Sequence, residues 1–597
     1  MEDRPLSRLE RRSQRLQERR SRHWIVWLYL PLALIPNWQA WLRGPTHLLT
    51  GGLGGDGGQE IWFLGITANQ LAHFHNPFFT DLVNAPHGVN LANVTSMPFL
   101  GTLCAPLTWI WGPIFSYNFL TVLSPLTAAL ALYWVAGRWV QRRSARFIAG
   151  LLYGFSPYLV AQLWGHLFLT MIFVFPIMVL AINEIFVRQQ WKPWRSGALL
   201  ALCLVAQIGI SPELLLNALI IALPLIAILV IRLTRRPLAA TIYAAKSIGV
   251  ALACAALPLG LFVYNFLYGE GHMTGAYRDA GIVANLKIDG FAFLLPGSFQ
   301  KFGFGVANSI DALIFYRGDS IHPDPFESGG FIGIPLILLI LASLPLVIRR
   351  REIWVLGIGF FTAVSVAVGA EPTVNGQFIG IRGPFSKLRE LPLLESSIAS
   401  RWTLYMWLFL ALIVGIILDR VITYFATTPT SIRRTQRLAA ATCLAVLASL
   451  TLLPRWPMPQ SEKVVPLWFA SPAEKSLSPQ SVVVTAPLAI NGAPLAMMWQ
   501  SLNNFNFTLA HGSAGPQTKS WDSLKAIVTQ CDAPNAPDRP NFSGLGKAQD
   551  QMRRLGVTTL IATQYSGNPT CAYAVFTGLA ESPGVDQLDV RIWNVKP

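Results

Sequence analysis

The sequence predicts a polytopic α-helical membrane protein with about 11–13 transmembrane helices and a C-terminal α/β domain outside the membrane. Composition is the first reason, because 53% of the 597 residues are hydrophobic, only 13% are charged, and the mean hydropathy is +0.45. The apolar residues form runs long enough to cross a bilayer, and the basic residues lie mainly between those runs. These observations exclude a disordered chain and a single soluble core. They also account for the net charge of +16 without nucleic acid as a partner.

The chain begins with a basic segment, residues 1–23, which we expect on the cytoplasmic face against anionic lipid. The apolar stretch Trp24–Leu42 has no small-residue cleavage site, so it is predicted to be a retained signal anchor of a plasma-membrane protein. With the N-terminus inside, every Arg/Lys-rich loop falls on the cytoplasmic side. Full crossings are predicted at 24–42, 116–137, 147–163, 167–187, 196–210, 214–232, 247–267, 328–348, 353–370, 402–424 and 438–453.

One apolar stretch, 97–115, does not fit this order, because a full crossing there would move the later basic loops outside. We therefore predict a re-entrant or interfacial segment, with a crossing as the alternative if the following short turn also counts. The transmembrane region then covers residues 24–453. The predicted outer pieces are the loops 43–96, 268–327 and 371–401 and the C-terminal domain 454–597.

The C-terminal region is rich in Pro, Asn, Ser and Gly and contains three short β-like runs at 481–485, 557–563 and 590–595. These runs predict a small α/β domain on the extracytoplasmic side. In that compartment a disulfide between Cys531 and Cys571 is plausible. Four tryptophans offer either a surface for stacking sugars or an ordinary small core: Trp468, Trp499, Trp521 and Trp593.

The first outer loop carries an acid, Asp56, in a glycine-rich segment directly after the first crossing. The segment formally contains GxGxxG, but it follows a membrane span rather than a strand, which excludes dinucleotide binding. Asp56 is either a functional acid on a flexible backbone or an ordinary turn aspartate. The apolar spacing that follows, from Ile61 to Phe74, predicts a one-sided helix at the membrane surface.

Several other polar residues on the outer side are candidates for binding. Asp81 and His87 lie in a turn-rich stretch that is either a binding segment or a surface loop. His166 and Glu213 each place an ionisable group at the outer end of apolar helices, where such groups usually face a cavity or a partner. For His166 the preferred interpretation is a cap on helix carbonyls.

The loop 371–401 breaks the charge bias of the outer side with four cations. The loop is either internally salt-bridged or an anion site, since an arginine fork matches the oxygens of a phosphate. At membrane depth such a phosphate would be lipid-linked. The four cations are Arg382, Lys387, Arg389 and Arg401, and Arg401 starts a helix beside Trp402.

These residues resemble the GT-C class of membrane glycosyltransferases, through the acid after the first span and two further stretches. The stretches are Asn76-Pro77…Asp81…Pro86-His87-Gly88-Val89-Asn90-Leu91 and Leu388-Arg389-Glu390-Leu391-Pro392…Ser400-Arg401-Trp402. The resemblance implies a GT-C fold and extracytoplasmic transfer of a hexosyl or pentosyl group from a polyprenyl-phosphate donor to a cell-envelope glycan, lipid or protein, usually with inversion.

The resemblance also implies roles for single residues. Asp56 would be the general base on the acceptor hydroxyl. Arg401, with Arg389, Lys387 and Arg382, would stabilise the departing phosphate. Binding of acceptor or sugar hydroxyls would fall to Asp81, His87, Glu213 and His166. The chain departs from some branches by having Asp56-Gly57 in place of paired acids. No cofactor is implied with certainty, and a divalent metal stays open because branches differ in metal dependence.

Two alternatives make different predictions. A lipid or glycan transporter predicts inverted repeats and broken helices at the midplane. A non-catalytic envelope scaffold predicts no convergent acidic cavity. The glycosyltransferase interpretation predicts that Asp56, Glu213 and Arg401 converge on one outer cavity.

Overall fold

The chain is a multi-pass membrane protein built mainly from helices. The computed structural model describes residues 24–51, 56–273, 278, 280–302, 327–427, 431–471, 477–478, 480–488, 494–513, 521–533 and 535–595. The basic segment 1–23, the glycine-rich residues 52–55 and much of the second outer loop, 303–326, lie outside the described residues.

Helices of the membrane region and its outer loops account for most of the described chain. In order they are α1 (Tyr29–Leu34), α2 (Trp38–Arg43), α3 (Gly57–His73), α4 (Pro98–Trp111), α5 (Pro113–Ala136), α6 (Arg143–Gly154), α7 (Pro157–Gln162), α8 (Val174–Asn183), α9 (Pro193–Ile208), α10 (Pro212–Leu233), α11 (Leu238–Tyr268), α12 (Ala280–Asn285), α13 (Ile334–Ser343), α14 (Arg351–Ala367), α15 (Phe385–Leu388), α16 (Thr403–Thr427) and α17 (Ile432–Thr451).

Six helical segments among the described residues have the length and hydropathy to cross a membrane. They are Ile25–Arg43, Pro113–Ala136, Leu167–Arg188, Pro212–Leu233, Leu238–Tyr268 and Ala399–Thr427. The other five predicted crossings correspond to helices that are shorter or less apolar. The crossing predicted at 147–163 is divided into α6 and α7, because Pro157 starts a new helix whose N-cap, Ser156, accepts a hydrogen bond from the Leu159 N–H at 3.3 Å.

The ambiguous stretch 97–115 forms α4, a helix of 14 residues that Gly112 separates from α5. At 1.5 Å per residue it is about 21 Å long, which is short for a hydrocarbon core of about 30 Å. Its C-terminal end exposes Trp109, Ile110 and Trp111. Short length and exposed tryptophans fit the interfacial interpretation.

Helix α3 confirms the helix predicted after Asp56, but the prediction that this helix buries only one side is wrong. The consecutive residues Ile61–Ile66 are all buried, since the helix packs against α4 and α5 on one side and the C-terminal domain on the other. Only its last turn and the following Phe74 are exposed. A helix with partners all round needs no polar face.

The C-terminal region forms an α/β domain around a five-stranded sheet. The strands lie in the order β10 (Val585–Gln587), β11 (Val590–Asn594), β9 (Thr559–Thr563), β7 (Val482–Ala486) and β8 (Thr508–Leu509). Strand β7 is parallel to the edge strand β8 and to β9, and β11 is antiparallel to β9. The predicted β-like runs are strands β7, β9 and β11, and the predicted Cys531–Cys571 disulfide is present. All four tryptophans are buried, which favours the core interpretation. Its elements are α18 (Leu467–Ala470), β7 (Val482–Ala486), α19 (Leu495–Leu502), β8 (Thr508–Leu509), α20 (Asp522–Thr529), α21 (Leu545–Arg554), β9 (Thr559–Thr563), α22 (Pro569–Ala580), β10 (Val585–Gln587) and β11 (Val590–Asn594).

Short strand pairs organise the outer face. Strand β1 (Leu48–Thr50) pairs antiparallel with β6 (Gln460–Glu462) and so joins the first loop to the start of the C-terminal region. Two hairpins complete the face: β2 (Phe79–Thr80) with β3 (Val89–Asn90), and β4 (Thr373–Val374) with β5 (Gln377–Phe378).

The C-terminal domain is docked on the first outer loop. Val83 bridges to Leu509 at the edge of the five-stranded sheet, and α19 packs on α3. Gly65 of α3 permits this approach, because a Cβ there would lie 2.1 Å from the Ser501 Oγ. The domain therefore supports the helix that begins beside Asp56.

Candidate active site

Asp56 lies at the N-terminus of α3, where its backbone is fixed at two points. Its N–H donates to the Gly165 carbonyl at 3.0 Å, and its own carbonyl accepts from the Glu60 N–H at 2.9 Å. Its side chain is 45% exposed. A carboxylate on an anchored backbone, open to a substrate, has the placement that a general base needs.

His166 lies beside Asp56 rather than serving only as a helix cap. Its Nε2 is 3.7 Å from the Asp56 Oδ2, and its Nδ1 is 2.8 Å from the Gln162 Oε1. The Gln162 Nε2 donates to the Glu327 Oε2 at 3.2 Å. Because a carboxylate only accepts, this contact turns the amide oxygen of Gln162 towards His166. Nδ1 then carries the ring proton and donates it to Gln162, while Nε2 faces Asp56.

Glu327 continues the network into the protein interior. Its carboxylate accepts from the Ser400 Oγ at 2.8 Å and from the Arg401 Nε at 2.8 Å. Burial raises the pKa of Glu327, but the charge of Arg401 and these two hydrogen bonds outweigh it and hold the pKa below its usual value. Glu327 is therefore an ionised, buried carboxylate.

Arg401 joins two carboxylates. Its Nη2 is 2.7 Å from Glu327 and its Nη1 is 2.6 Å from Glu213, and its guanidinium lies 5.7 Å from the centre of the Phe168 ring. Glu213 also accepts from the Arg278 Nη1 at 3.1 Å and from the Ile398 N–H at 3.0 Å. Charges of alternating sign thus run from Glu327 through Arg401 and Glu213 to Arg278.

A second acid, Glu60, lies one helical turn after Asp56 and is fully buried. One of its oxygens accepts from the Phe168 N–H at 3.1 Å. Burial, and then the charge of Asp56, raise the pKa of Glu60 well above its usual value. Its surroundings therefore favour the protonated form of Glu60, next to the exposed carboxyl of Asp56.

The structure brings together four residues of the predicted site and leaves the other five elsewhere. Asp56, His166, Glu213 and Arg401 belong to one connected network. Asp81 and His87 are exposed on the β2–β3 hairpin. Lys387 pairs with Glu390 at 2.9 Å on the surface, Arg382 is exposed and Arg389 is half-buried. Within the described part of the chain, no hydrogen bond or ion pair joins these five to the network.

Sequence reasoning missed Gln162, Arg278 and Glu327, and gave Glu60 no role. The signal for Glu327 was an acid immediately before the crossing predicted at 328–348, because an ionisable group at that depth needs a partner. Gln162 and Arg278 carried no comparable signal. Among the described residues, no three His, Cys, Asp or Glu side chains come together in a group that could hold a metal ion.

No family model and no curated protein matches this chain. Among solved structures, the cryo-electron-microscopy structure of the arabinofuranosyltransferase AftD from Mycobacteria is similar, with 14% identity and a TM-score of 0.53 over 96% of this chain and 39% of that one. A mutant of the same protein aligns with a TM-score of 0.55 and 14% identity over 100% of this chain and 42% of that one. This chain therefore spans about two fifths of that protein, and the likeness shows a shared fold.

Proposed function

We propose that this chain, which has the GT-C glycosyltransferase fold that its sequence resemblance predicted, transfers a sugar from a polyprenyl-phosphate donor to a cell-envelope acceptor. The N-terminus is cytoplasmic, and the transfer takes place on the extracytoplasmic face. The observation that carries the proposal is Asp56, a half-exposed carboxylate on an anchored backbone at the end of a buried network of charges. The name of the similar protein makes a pentose the first sugar to test.

In this reaction the oxygen of an acceptor hydroxyl attacks the anomeric carbon as the bond from that carbon to the phosphate oxygen breaks. The sugar is inverted, the phosphate leaves as polyprenyl phosphate, and the hydroxyl proton goes to Asp56. His166 is a positioning residue behind this base. Its Nε2 faces the Asp56 Oδ2 and takes up the proton from Asp56 after transfer.

Arg401 and Arg278 supply the positive charge for the departing phosphate. Arg401 is held rigidly, since its Nε, Nη1 and Nη2 all contact carboxylates. Preorganised charge of this kind needs no rearrangement as negative charge develops on the leaving oxygen. Asp81 and His87, on the exposed hairpin, are proposed to contact the acceptor. Arg382, Lys387 and Arg389 are proposed to contact the phosphate of the lipid-linked donor.

The test is turnover in nanodiscs with a panel of polyprenyl-phosphate pentoses and hexoses and a cell-envelope glycan. Asp56→Asn should reduce release of polyprenyl phosphate by roughly 100- to 10,000-fold, the usual worth of a general base. Asp550→Asn is the matched control, because Asp550 is a 60% exposed acid of the C-terminal domain outside the network. Equal activity of Asp56→Asn and Asp550→Asn would reject Asp56 as the base. No turnover with any donor, where a known glycosyltransferase works, would reject the function.

Arg401→Lys tests the proposal that Arg401 stabilises the departing phosphate. Lysine keeps the charge, but its single nitrogen does not reproduce the separate contacts of Nε and Nη1 with Glu327 and Glu213. We expect kcat to fall while the KM for the acceptor changes little. The reason is that the two carboxylates hold the guanidinium that is proposed to stabilise the leaving phosphate. A fall confined to acceptor KM would contradict this role.

A further inference from the structure

The outer hairpin β4–β5 and the chain after it expose an unusual amount of apolar surface. Ile381 is 68% exposed and Phe378 49%, and the other members are exposed to a similar degree. We call this set the hairpin patch; it consists of Val374, Phe378, Ile379, Ile381, Leu391 and Leu393. A contiguous apolar surface of this kind marks contact with a membrane or another apolar partner.

The hairpin patch belongs to an ordered segment. The Asp289 carboxylate accepts from the N–H of Asn375 at 3.0 Å and of Gly376 at 2.9 Å. Both turn residues have positive φ, 53° and 70°, as a two-residue hairpin turn requires. The segment therefore presents its apolar side chains in a fixed direction.

The hairpin is also tied closely to the end of a membrane helix. Helix α14 ends at Ala367, and the Gly383 N–H donates to the Ala370 carbonyl at 2.9 Å. Helix α14 exposes large apolar side chains of its own, Trp354 and Phe361. The hairpin patch therefore continues from a helix that exposes apolar side chains of its own.

Three cations accompany the patch: Arg382, Lys387 and Arg389. Long basic side chains next to apolar ones are typical of segments in the membrane interface, where the stems lie along the apolar layer and the charged ends reach the phosphates. A loop facing bulk water would gain nothing from six exposed apolar side chains. The pairing of apolar and basic side chains selects a phospholipid surface over a protein partner.

We propose that residues 373–393 are immersed in the outer-leaflet interface, with the hairpin patch among the acyl chains and Arg382, Lys387 and Arg389 at the depth of the phospholipid phosphates. This deepens the proposed function, because a lipid-linked donor carries its phosphate at the same depth. Immersion depends only on topology and surface chemistry. Its test is therefore independent of sugar transfer.

The test is spin labelling of the full chain in nanodiscs, with accessibility to oxygen compared with accessibility to a water-soluble nickel complex. Exposed Cys254 and Cys443 are first replaced by alanine, while the buried cysteines and the disulfide stay. Labels are placed by Ile381→Cys or, separately, Leu391→Cys, so that one disturbed site does not decide the result.

Two control labels define the extremes. Leu257→Cys lies on the membrane-spanning helix α11 at a position 72% exposed, and Leu588→Cys lies on the C-terminal domain at a position 66% exposed. We expect labels at 381 and 391 to be reached by oxygen and not by nickel, as at 257. Access by nickel as at 588 would overturn the proposal, because the patch would face water. Protection from both reagents would overturn it too, because protein would cover the patch.

Discussion

Gln500 of α19 is predicted to hold the first outer loop in place, and Gln500→Leu tests this. The side chain is fully buried. Its Oε1 accepts from the Trp62 Nε1 at 2.7 Å, and its Nε2 donates to the carbonyls of Leu82 and Phe507, each at 2.7 Å. Leucine fills a similar volume but leaves one donor and two acceptors buried without these bonds.

The size of the effect follows from the two bonds that leave the C-terminal domain, to Trp62 and to Leu82. Each contributes about 1 kcal/mol net, so docking of the loop should weaken by about 2 kcal/mol. At about 1.4 kcal/mol per factor of ten, the equilibrium constant for opening should rise roughly 30-fold. The reporter is the Ala85 amide, which donates to the Leu509 carbonyl at 3.3 Å only while the loop is docked.

Hydrogen–deuterium exchange of peptides covering residues 82–91 measures this opening. Gln549→Leu is the matched control, because Gln549 lies in the same domain but bonds only within it. Trp62→Phe combined with Gln500→Leu should cost less than the sum of the single changes, since the pair shares one bond. Unchanged exchange in a folded Gln500→Leu protein would refute the idea that this side chain secures the loop.

Three further outcomes are expected. Burial raises the pKa of Asp532 to about 7, above its unfolded value of about 3.9, so the folded state holds the proton and its stability falls as pH rises between these values. Asp532→Asn should remove this dependence, and a thermal midpoint of the variant that still decreases as the pH rises from about 4 to about 7 would contradict it. Replacing Cys531 and Cys571 by serine should destabilise the C-terminal domain by about 4 kcal/mol, because the bridge closes a loop with a sequence separation of 40. Chemical denaturation followed by domain-specific proteolysis measures this loss. An unchanged denaturation midpoint would count against the prediction. Glu60→Gln should keep turnover, because the raised pKa of Glu60 favours its neutral form and glutamine resembles a neutral acid. A large loss of turnover would show that Glu60 works as an ionised group.

Local patterns made much of the fold predictable. The three short β-like runs stand out in a polar region and form β7, β9 and β11. The acid at 56 and the cation at 401 were identified because each follows or begins an apolar run, where charge is costly.

The partners of those residues were not predictable, since contacts between distant segments leave no periodicity. Arg401 meets Glu213 across 188 residues, and Gln162 meets Glu327 across 165. The buried environment of α3 was missed for the same reason, because its second covering layer comes from α19. A local sequence pattern identifies the kind of element that a segment forms. The segments that this element contacts depend on tertiary packing.

The contact between Trp62 and Gln500 also sets an order of events during biosynthesis. The two residues are 438 positions apart, so at 5–20 residues per second roughly 20 to 90 seconds pass before the second follows the first from the ribosome. During that interval α3 has one apolar face without its partner. The nascent chain therefore contains Asp56 long before it contains the domain that packs against α3, and the contacts that fix this helix form only after that domain has folded.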